Sequence, residues 1–140
     1  MEISTQSLSF ETKGMTDILD ITPQVEELLL ASGLREGTAT LFVPGATAGL
    51  STIEFEPGLL KDLPEFFEEI APYGRDWHHH KTWGDRNGAS HIRAPLIGPS
   101  LVVPFVDGRL TLGTWQQIVL FDFDDRPRQR RVVCQLAGVK

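Results

Sequence analysis

The histidines of this chain are gathered in one short segment. His78, His79 and His80 are consecutive, and His91 follows closely, so all four histidines of the protein lie together. Asp85 lies between the two groups. Imidazole and carboxylate groups at loop-to-strand junctions are typical of a site for a metal ion or an anionic ligand. The alternative is a solvated histidine loop that binds nothing, and composition alone leaves both interpretations open.

Each of these groups has a candidate role in catalysis. His79 and His91 are predicted to act as metal ligands or as general acid–base groups, with His91 between a polar turn and an apolar strand. Asp85 could orient one imidazole through the other nitrogen of its ring. Glu54 is a candidate general base or third metal ligand.

A second set of side chains is predicted to bind the substrate. Asn87 and Ser90 could form hydrogen bonds with a polar substrate, and Arg93 could pair with a phosphate group. Thr114 and Gln116 are further candidates for substrate binding, and since Gln116 and Gln117 alternate, only one of these two glutamines can face the same site as Thr114. Asn87, like Asp85, is as typical of a turn as of a binding site.

Composition and charge restrict the class of protein. With 140 residues, 41% of them apolar and 23% charged, the chain is predicted to form a single domain over residues 1–140. The net charge of −6 argues against a dedicated nucleic-acid binder, because neutralising phosphates needs a basic surface. The one basic cluster, which suits a small anionic molecule or an ion pair between subunits, consists of Arg126, Arg128, Arg130 and Arg131.

The remaining compositional signals concern cysteine and location. Cys134 is the single cysteine, which excludes an internal disulfide and a zinc site built from cysteines. The segment Met1–Ser4 has neither the basic nor the apolar region of a signal peptide, and no apolar run is long enough to cross a membrane. We therefore predict a soluble, cytoplasmic protein without a membrane partner.

Two helices are predicted from periodic apolar residues and their end signals. Thr22 as N-cap and the proline after it begin a helix over Pro23–Ser32, which Gly33 ends. The second helix is predicted over Gly58–Ile70, with a kink or a break at Pro64.

The rest of the chain has the patterns of strands. Asp107–Gly108 is a strong signal for a tight β-hairpin. About seven strands and two helices indicate an α+β fold with a largely antiparallel or mixed sheet sandwich, the hairpin central and the helices packed on the sheet. The strands are predicted at Ile3–Phe10, Thr38–Val43, Thr52–Glu56, Leu101–Val106, Arg109–Leu112, Gln117–Phe123 and Arg131–Leu136.

Several motifs together resemble one protein family. The run Leu112–Ile118, which reads Leu-Gly-Thr-Trp-Gln-Gln-Ile, is its most specific part, and Asp122–Arg128 follows it. Asp85–Ile92 is similar to a histidine motif of the same family, and His79 stands where an aromatic-x-His element has its histidine. Further matches are Thr47–Gly49, Glu54, Gly98–Ser100 and Val103–Pro104. From about Leu41 to Lys140 the chain resembles the YjbQ-like family, also called the secondary thiamine-phosphate synthase family.

The resemblance implies a fold, an assembly and an activity. It implies a compact α+β protomer in a homotrimer, with a site near the subunit boundaries where histidines, here His79 and His91, hold a divalent metal such as zinc. The implied activity joins a pyrimidine pyrophosphate to a thiazole phosphate and displaces pyrophosphate. The alternative is a non-catalytic trimer that binds a phosphorylated or carboxylated metabolite. The chain departs from the family pattern at Gly45 and Ala89, where many members have histidines.

Overall fold

The computed structural model describes residues 1–140 as eight strands and four helices, which confirms the α+β prediction. None of the helices combines the length and the apolar composition that a membrane crossing needs. In chain order the elements are β1 (Glu2–Thr12), β2 (Asp17–Asp20), α1 (Thr22–Ser32), β3 (Glu36–Phe42), β4 (Ala48–Ile53), α2 (Pro57–Ile70), α3 (His80–Trp83), α4 (Gly88–Ile97), β5 (Ser100–Val106), β6 (Arg109–Leu110), β7 (Gln117–Asp122) and β8 (Arg128–Val139).

The strands form two sheets, and every pairing is antiparallel. The five-stranded sheet has the order β1-β8-β3-β5-β6, and the three-stranded sheet has the order β2-β7-β4. In the smaller sheet, Ala48 of β4 lies opposite Asp122 of β7, and Ile53 lies opposite Gln117. This register determines which residues lie at each end of the sheet. The predicted site residues lie at both ends.

The three-stranded sheet is a middle layer with both faces buried. Along β7, Ile118 and Leu120 point into the core that the sheet shares with the five-stranded sheet and α1. Val119 and Phe121 point the other way, into a second core that includes Phe67 of α2. Because side chains alternate along a strand, the continuous apolar run of β7 is what allows one strand to serve two cores.

The predicted hairpin is present, but it lies at the edge of a sheet. Asp107 and Gly108 have φ values of 53° and 73°, as both central residues of a type I′ turn require. The prediction of the hairpin is confirmed, whereas the prediction that it is central is wrong. β6 contains only Arg109–Leu110 and is an edge strand of the five-stranded sheet, so no further strand pairs with the hairpin.

The first predicted helix is confirmed, but its start differs in detail. α1 spans Thr22–Ser32, and Gly33 ends it in the left-handed conformation. The N-cap is Ile21 rather than Thr22. The carboxylate of Asp20 accepts a hydrogen bond of 3.0 Å from the Thr22 N–H, so an acidic side chain satisfies a donor at the helix start.

The second predicted helix is also confirmed, although the strand before it is shorter than expected. β4 ends at Ile53, and Glu56 is the N-cap of α2 instead of a strand residue. Its carboxylate accepts hydrogen bonds from the N–H groups of Gly58 and Leu59. α2 continues through Pro64, so the predicted break is absent, although a proline has no N–H to donate to the carbonyl of Leu60.

Two helices replace the predicted histidine loop and the apolar strand after it. α3 is a single turn, and α4 spans Gly88–Ile97 with Pro95 inside it. α4 packs on β4 at Gly49, where a Cβ atom would lie 2.9 Å from the Cγ2 atom of Ile97. The absence of a side chain at position 49 therefore lets α4 approach the sheet, and this approach places His91 at the Ala48 end of the smaller sheet.

Candidate functional site

The two histidines with predicted chemical roles meet at the Ala48–Asp122 end of the smaller sheet. His79 precedes α3 as its N-cap, and His91 lies in the first half of α4. Their rings stack with 4.4 Å between centroids and 29° between planes. The turn between α3 and α4 folds back far enough to place both imidazoles side by side.

Asp85 lies beside this pair without a formed hydrogen bond. Its Oδ1 atom is 3.5 Å from the Nδ1 atom of His79, which makes no hydrogen bond within the chain. At that distance the carboxylate acts on the imidazole through its charge rather than through a formed hydrogen bond. The structure thus brings together His79, His91 and Asp85, three of the four residues predicted to be catalytic.

The environment of His91 favours a neutral imidazole. Burial lowers the pKa of His91, and the neighbouring His79 lowers it further. Asp124 and Asp85 act in the opposite direction but do not offset the first two effects. At neutral pH His91 is therefore an acceptor of protons or hydrogen bonds.

The other two histidines have different surroundings. His80 accepts a hydrogen bond of 3.1 Å at Nε2 from the backbone N–H of Gly88. Because Nε2 is the acceptor, the proton of the neutral ring is on Nδ1. His80 thus satisfies a donor at the start of α4, a structural role that sequence patterns did not show. His78 is exposed.

Asn87 and Ser90 lie at the start of α4, where Asn87 is the N-cap. Asn87 donates a hydrogen bond of 3.3 Å from Nδ2 to Asp124, while its Oδ1 atom has no partner. The Ser90 hydroxyl is fully buried and also has no partner. Two buried polar atoms at the start of α4 thus have no hydrogen-bond partner within the chain, and neither residue lines the pocket beside His91.

Arg93, by contrast, points into the protein interior, so its predicted pairing with a phosphate is corrected. Its guanidinium donates hydrogen bonds of 3.0 Å to the Ala71 carbonyl, 2.8 Å to Thr16 and 2.7 Å to Glu68. It also stacks on Tyr73, with 3.9 Å from Cζ to the ring centroid. Arg93 is 1% exposed and holds α4 to the rest of the fold.

Glu54, Thr114 and Gln116 lie at the opposite end of the smaller sheet. They line an open depression beside the loop before β7. The five steps of β4 from Ala48 to Ile53 separate the two ends by roughly 17 Å. Within one chain these three residues and the histidine pair therefore do not form a common site.

The Gln116 side chain has a structural role in its own loop. Its Oε1 atom accepts a hydrogen bond of 3.0 Å from the Gly113 N–H, and its Nε2 atom donates one of 2.8 Å to Thr52. Both ends of the amide are thus occupied. Trp115 beside it is 75% exposed, and Thr114 is also exposed.

A buried ion-pair network underlies the site, and sequence patterns did not identify it. Asp122 is fully buried and accepts hydrogen bonds from both Nε and Nη2 of Arg130, at 2.8 and 2.9 Å. Asp124 accepts a bond of 2.7 Å from Arg128. Two arginines of the basic cluster are thus paired inside the chain, not with another subunit. The alternation of Phe121, Asp122, Phe123 and Asp124 was the available signal.

Both buried aspartates remain ionised. Burial alone would raise the pKa of Asp122, but hydrogen bonds from Arg130 and Thr12 outweigh this effect and hold it below its usual range. Burial likewise would raise the pKa of Asp124, while bonds from the Asp125 backbone and Asn87 lower it. The base of the site therefore contains fixed charges rather than titrating groups.

A pocket of about 300 Å³ opens beside His91. One wall is α4 and the other is the loop before β4, so residues distant in sequence enclose it. The lining residues are Gly45, Ala46, Ala48, His91, Ala94, Pro95 and Pro99.

The side chains present do not fit a three-ligand metal site. No three His, Cys, Asp or Glu side chains are placed to hold one ion. Catalytic zinc normally has three protein ligands, whereas His79 and His91 provide two here. Gly45, in the same pocket as His91, contributes no donor side chain.

Comparison with known proteins agrees with this arrangement of elements. A UPF0047 protein from Archaeoglobus fulgidus is 41% identical over 126 residues, covering 90% of this chain and 95% of that protein. Another from Methanothermobacter thermautotrophicus is 36% identical and covers 99% of this chain and 94% of that protein.

Solved structures show the same fold. A YbjQ-like protein of unknown function from Sulfolobus solfataricus superposes with a TM-score of 0.92 at 30% identity, covering 98% of both chains. A hypothetical protein from Aeropyrum pernix gives 0.90 at 37% identity, covering 96% of this chain and 98% of that one. The family model described as UPF0047 protein YjbQ-like matches residues 6–139. Because the family model matches nearly the whole chain, the chain belongs to the YjbQ-like UPF0047 family.

Proposed function

We propose that this protein binds a small anionic metabolite, phosphorylated or carboxylated, in the pocket beside His91. The observation that supports this proposal is the contact between His79 and His91. Their rings stack at 4.4 Å next to a pocket that is open to a ligand. Two imidazoles in contact, one held neutral, supply hydrogen-bond donors and acceptors suited to an oxyanion and its proton.

The same pair is suited to proton transfer. Because burial and His79 lower the pKa of His91, this imidazole can accept a proton from a bound ligand near neutral pH. Asp85 lies on the other side of His79, where its charge would stabilise a proton that has moved to the pair. Neither role requires a metal.

Transferase activity is the second candidate function. In the reaction implied by the family resemblance, a bond forms between the thiazole nitrogen and the pyrimidine methylene carbon while the bond to pyrophosphate breaks. If His91 first accepts a proton from a bound substrate, it could pass that proton to the leaving group. However, 300 Å³ is at the lower end of known ligand pockets, with room for one small ligand rather than two phosphorylated rings.

A homotrimer is part of this proposal. The outer surface of one chain exposes Phe42, Val102, Val106 and Trp115 to solvent. Exposed apolar residues in such number are typical of a surface that another protein covers. A neighbouring subunit that covered them would also enlarge the space available to a ligand near a subunit boundary.

A screen of metabolites by thermal shift tests the proposed function. Phosphorylated and carboxylated compounds should raise the melting temperature of the wild type, and His91→Ala should lose this response. His78→Ala is the matched control, because His78 is exposed and should leave binding unchanged. If both variants respond like the wild type, the ligand does not bind at His91.

Metal content separates the two candidate functions. The protein should be purified without a histidine tag and its zinc measured. Stoichiometric zinc would favour the transferase and a metal-assisted site at His79 and His91. Retained phosphate binding in metal-free protein would favour the binding role.

A further inference from the structure

The single turn α3, whose N-cap is His79, has no side chain in either hydrophobic core. None of its residues is buried, and the whole segment Lys81–Arg86 is exposed to solvent. A helix of one turn is also too short to be stable by itself. The position of His79 therefore depends on the few contacts that this segment makes with the rest of the chain.

One of these contacts is a hydrogen bond with the start of α4. The backbone N–H of Gly88 donates a bond of 3.1 Å to Nε2 of His80. The first N–H groups of a helix have no acceptor within that helix, and the side chain of the N-cap residue Asn87 does not accept from them. His80 thus supplies the capping acceptor from another helix, and the same bond joins α3 to α4.

Glycine at position 88 allows this close contact. A Cβ atom there would lie 2.7 Å from the Cβ atom of Trp77 and 3.0 Å from Nε2 of His80. The indole Nε1 of Trp77 donates a bond of 3.0 Å to the carbonyl of Pro72, and the Trp77 carbonyl accepts one of 3.1 Å from the His80 N–H. The segment Trp77–His80 is therefore held between the chain that follows α2 and the start of α4.

The bond between His80 and Gly88 lies next to both members of the histidine pair. His79 is adjacent to His80 in the chain, and their rings meet edge to face with 6.5 Å between centroids. His91 follows Gly88 by three residues, so the two occupy neighbouring positions on one face of α4. A change in the distance from His80 to Gly88 therefore changes the stacking distance of 4.4 Å between His79 and His91.

We propose that His80 is a positioning residue, whose hydrogen bond with Gly88 holds the imidazole of His79 against that of His91. This inference rests on the proposed function, because the stacked pair is the group assigned to the ligand. His80 does not line the pocket beside His91, so it acts through His79.

Two substitutions of His80 separate the acceptor from the bulk of the side chain. His80→Leu removes the acceptor, whereas His80→Gln supplies a side-chain carbonyl in its place. Nuclear Overhauser contacts between the ring protons of His79 and His91, recorded at pH 7.5 without ligand, should be present in the wild type and His80→Gln and absent in His80→Leu. His78→Leu is the matched control and should keep these contacts, because His78 is exposed.

Titration with inorganic phosphate measures the consequence for the site. The affinity of His80→Leu for phosphate should be about 10-fold lower than that of the wild type, which is the effect of losing one hydrogen bond to a charged ligand. His80→Gln and His78→Leu should bind phosphate as the wild type does. A residue that only stabilised α4 would lower the urea concentration at half unfolding but would change neither measurement in the folded protein.

Gly88→Ala tests the same contact from the side of α4 and replaces His80→Leu if that variant does not fold. Its Cβ atom would push His80 and Trp77 away from α4, so the ring contacts between His79 and His91 should again be lost. Gly74→Ala is its control, since a Cβ atom there would meet no atom within 4 Å. If Gly88→Ala and every folded His80 variant keep the ring contacts, His80 is not a positioning residue.

The two measurements distinguish this inference from the proposed function. Ring contacts that are lost in His80→Leu while phosphate binding is unchanged would support the positioning role and overturn the proposed function of the pair. Ring contacts that are lost in His80→Gln as well would overturn the hydrogen bond as their cause. A wild type that binds no phosphate would count against the proposed function alone, because the ring contacts are measured without ligand.

Discussion

His79 and His91 stack with 4.4 Å between their ring centroids, although His79 precedes α3 and His91 lies in α4. At this distance His79 adds to the effect of burial, and together they lower the pKa of His91. The contact with His79 therefore helps to keep the His91 imidazole neutral beside the pocket.

Acidification should reduce stability through His91. Its pKa is lowered in the folded state, mainly by burial, so between that value and about 6.5 the unfolded chain binds more protons. The free energy of unfolding should thus fall as pH drops through this window. Above the window the contribution of His91 to stability should be complete. Urea denaturation at pH 7.5 and 5.5 should show a larger loss for the wild type than for His91→Gln. Equal losses would mean that His91 titrates normally.

Replacing Arg93 should affect stability rather than ligand binding. Arg93→Met leaves the Ala71 carbonyl and the Thr16 hydroxyl without a donor. We expect the free energy of unfolding to fall by about 3 kcal/mol in total. Arg131→Met is the control, because Arg131 is exposed. Urea denaturation measures the loss, and calorimetry of the folded fraction should show unchanged phosphate binding. Weaker binding without a loss of stability would restore the substrate role first predicted for Arg93.

The Asp122–Arg130 pair should be the most sensitive point of the fold. Asp122→Asn leaves a buried guanidinium without its carboxylate, and we expect a loss of about 3–5 kcal/mol. The same chemical change at Asp107 should be nearly neutral, because Asp107 is exposed and asparagine suits a type I′ turn. A loss below about 1 kcal/mol at Asp122 would contradict the proposed importance of the pair.

The proposed trimer should depend on the outer face of the five-stranded sheet. Light scattering is expected to give about three times the 15.6 kDa of one chain. Val102→Glu should shift the mass toward the monomer, because Val102 is 58% exposed on β5 and would be buried between subunits. Gln6→Glu, on the opposite edge strand, is the control. A wild-type mass near 16 kDa would exclude the trimer.

The sequence allowed local features to be predicted wherever a residue type has few alternatives. Asp107–Gly108 specifies its turn because both positions need positive φ, and Gly33 ends α1 for a similar reason. α4 was missed because Gly88 and Pro95 are typical of loops, while its stability comes from packing on β4 at Gly49. Packing between distant segments has no local signal.

The candidate site was predicted only in part for the same reason. His79, Asp85 and His91 are neighbours in sequence and also in space. The roles of Arg93 and Glu54 depended on contacts across the fold, which spacing along the chain does not determine. Glu54 lies at the far end of β4, and Arg93 meets Thr16 from a segment 77 residues away.

β1 is an edge strand whose only partner is β8, and Gln135 bonds Thr5 from 130 residues further along the chain. During synthesis on the ribosome, Glu2–Thr12 must therefore remain without its partner until Arg128–Val139 has left the exit tunnel. An early alternating segment that waits so long is open to pairing with other nascent chains. Its Ser, Thr and Gln residues keep that exposed strand hydrophilic during the delay. Because Arg130 belongs to β8, the ion pair beneath the candidate site also forms only after that strand has been synthesised.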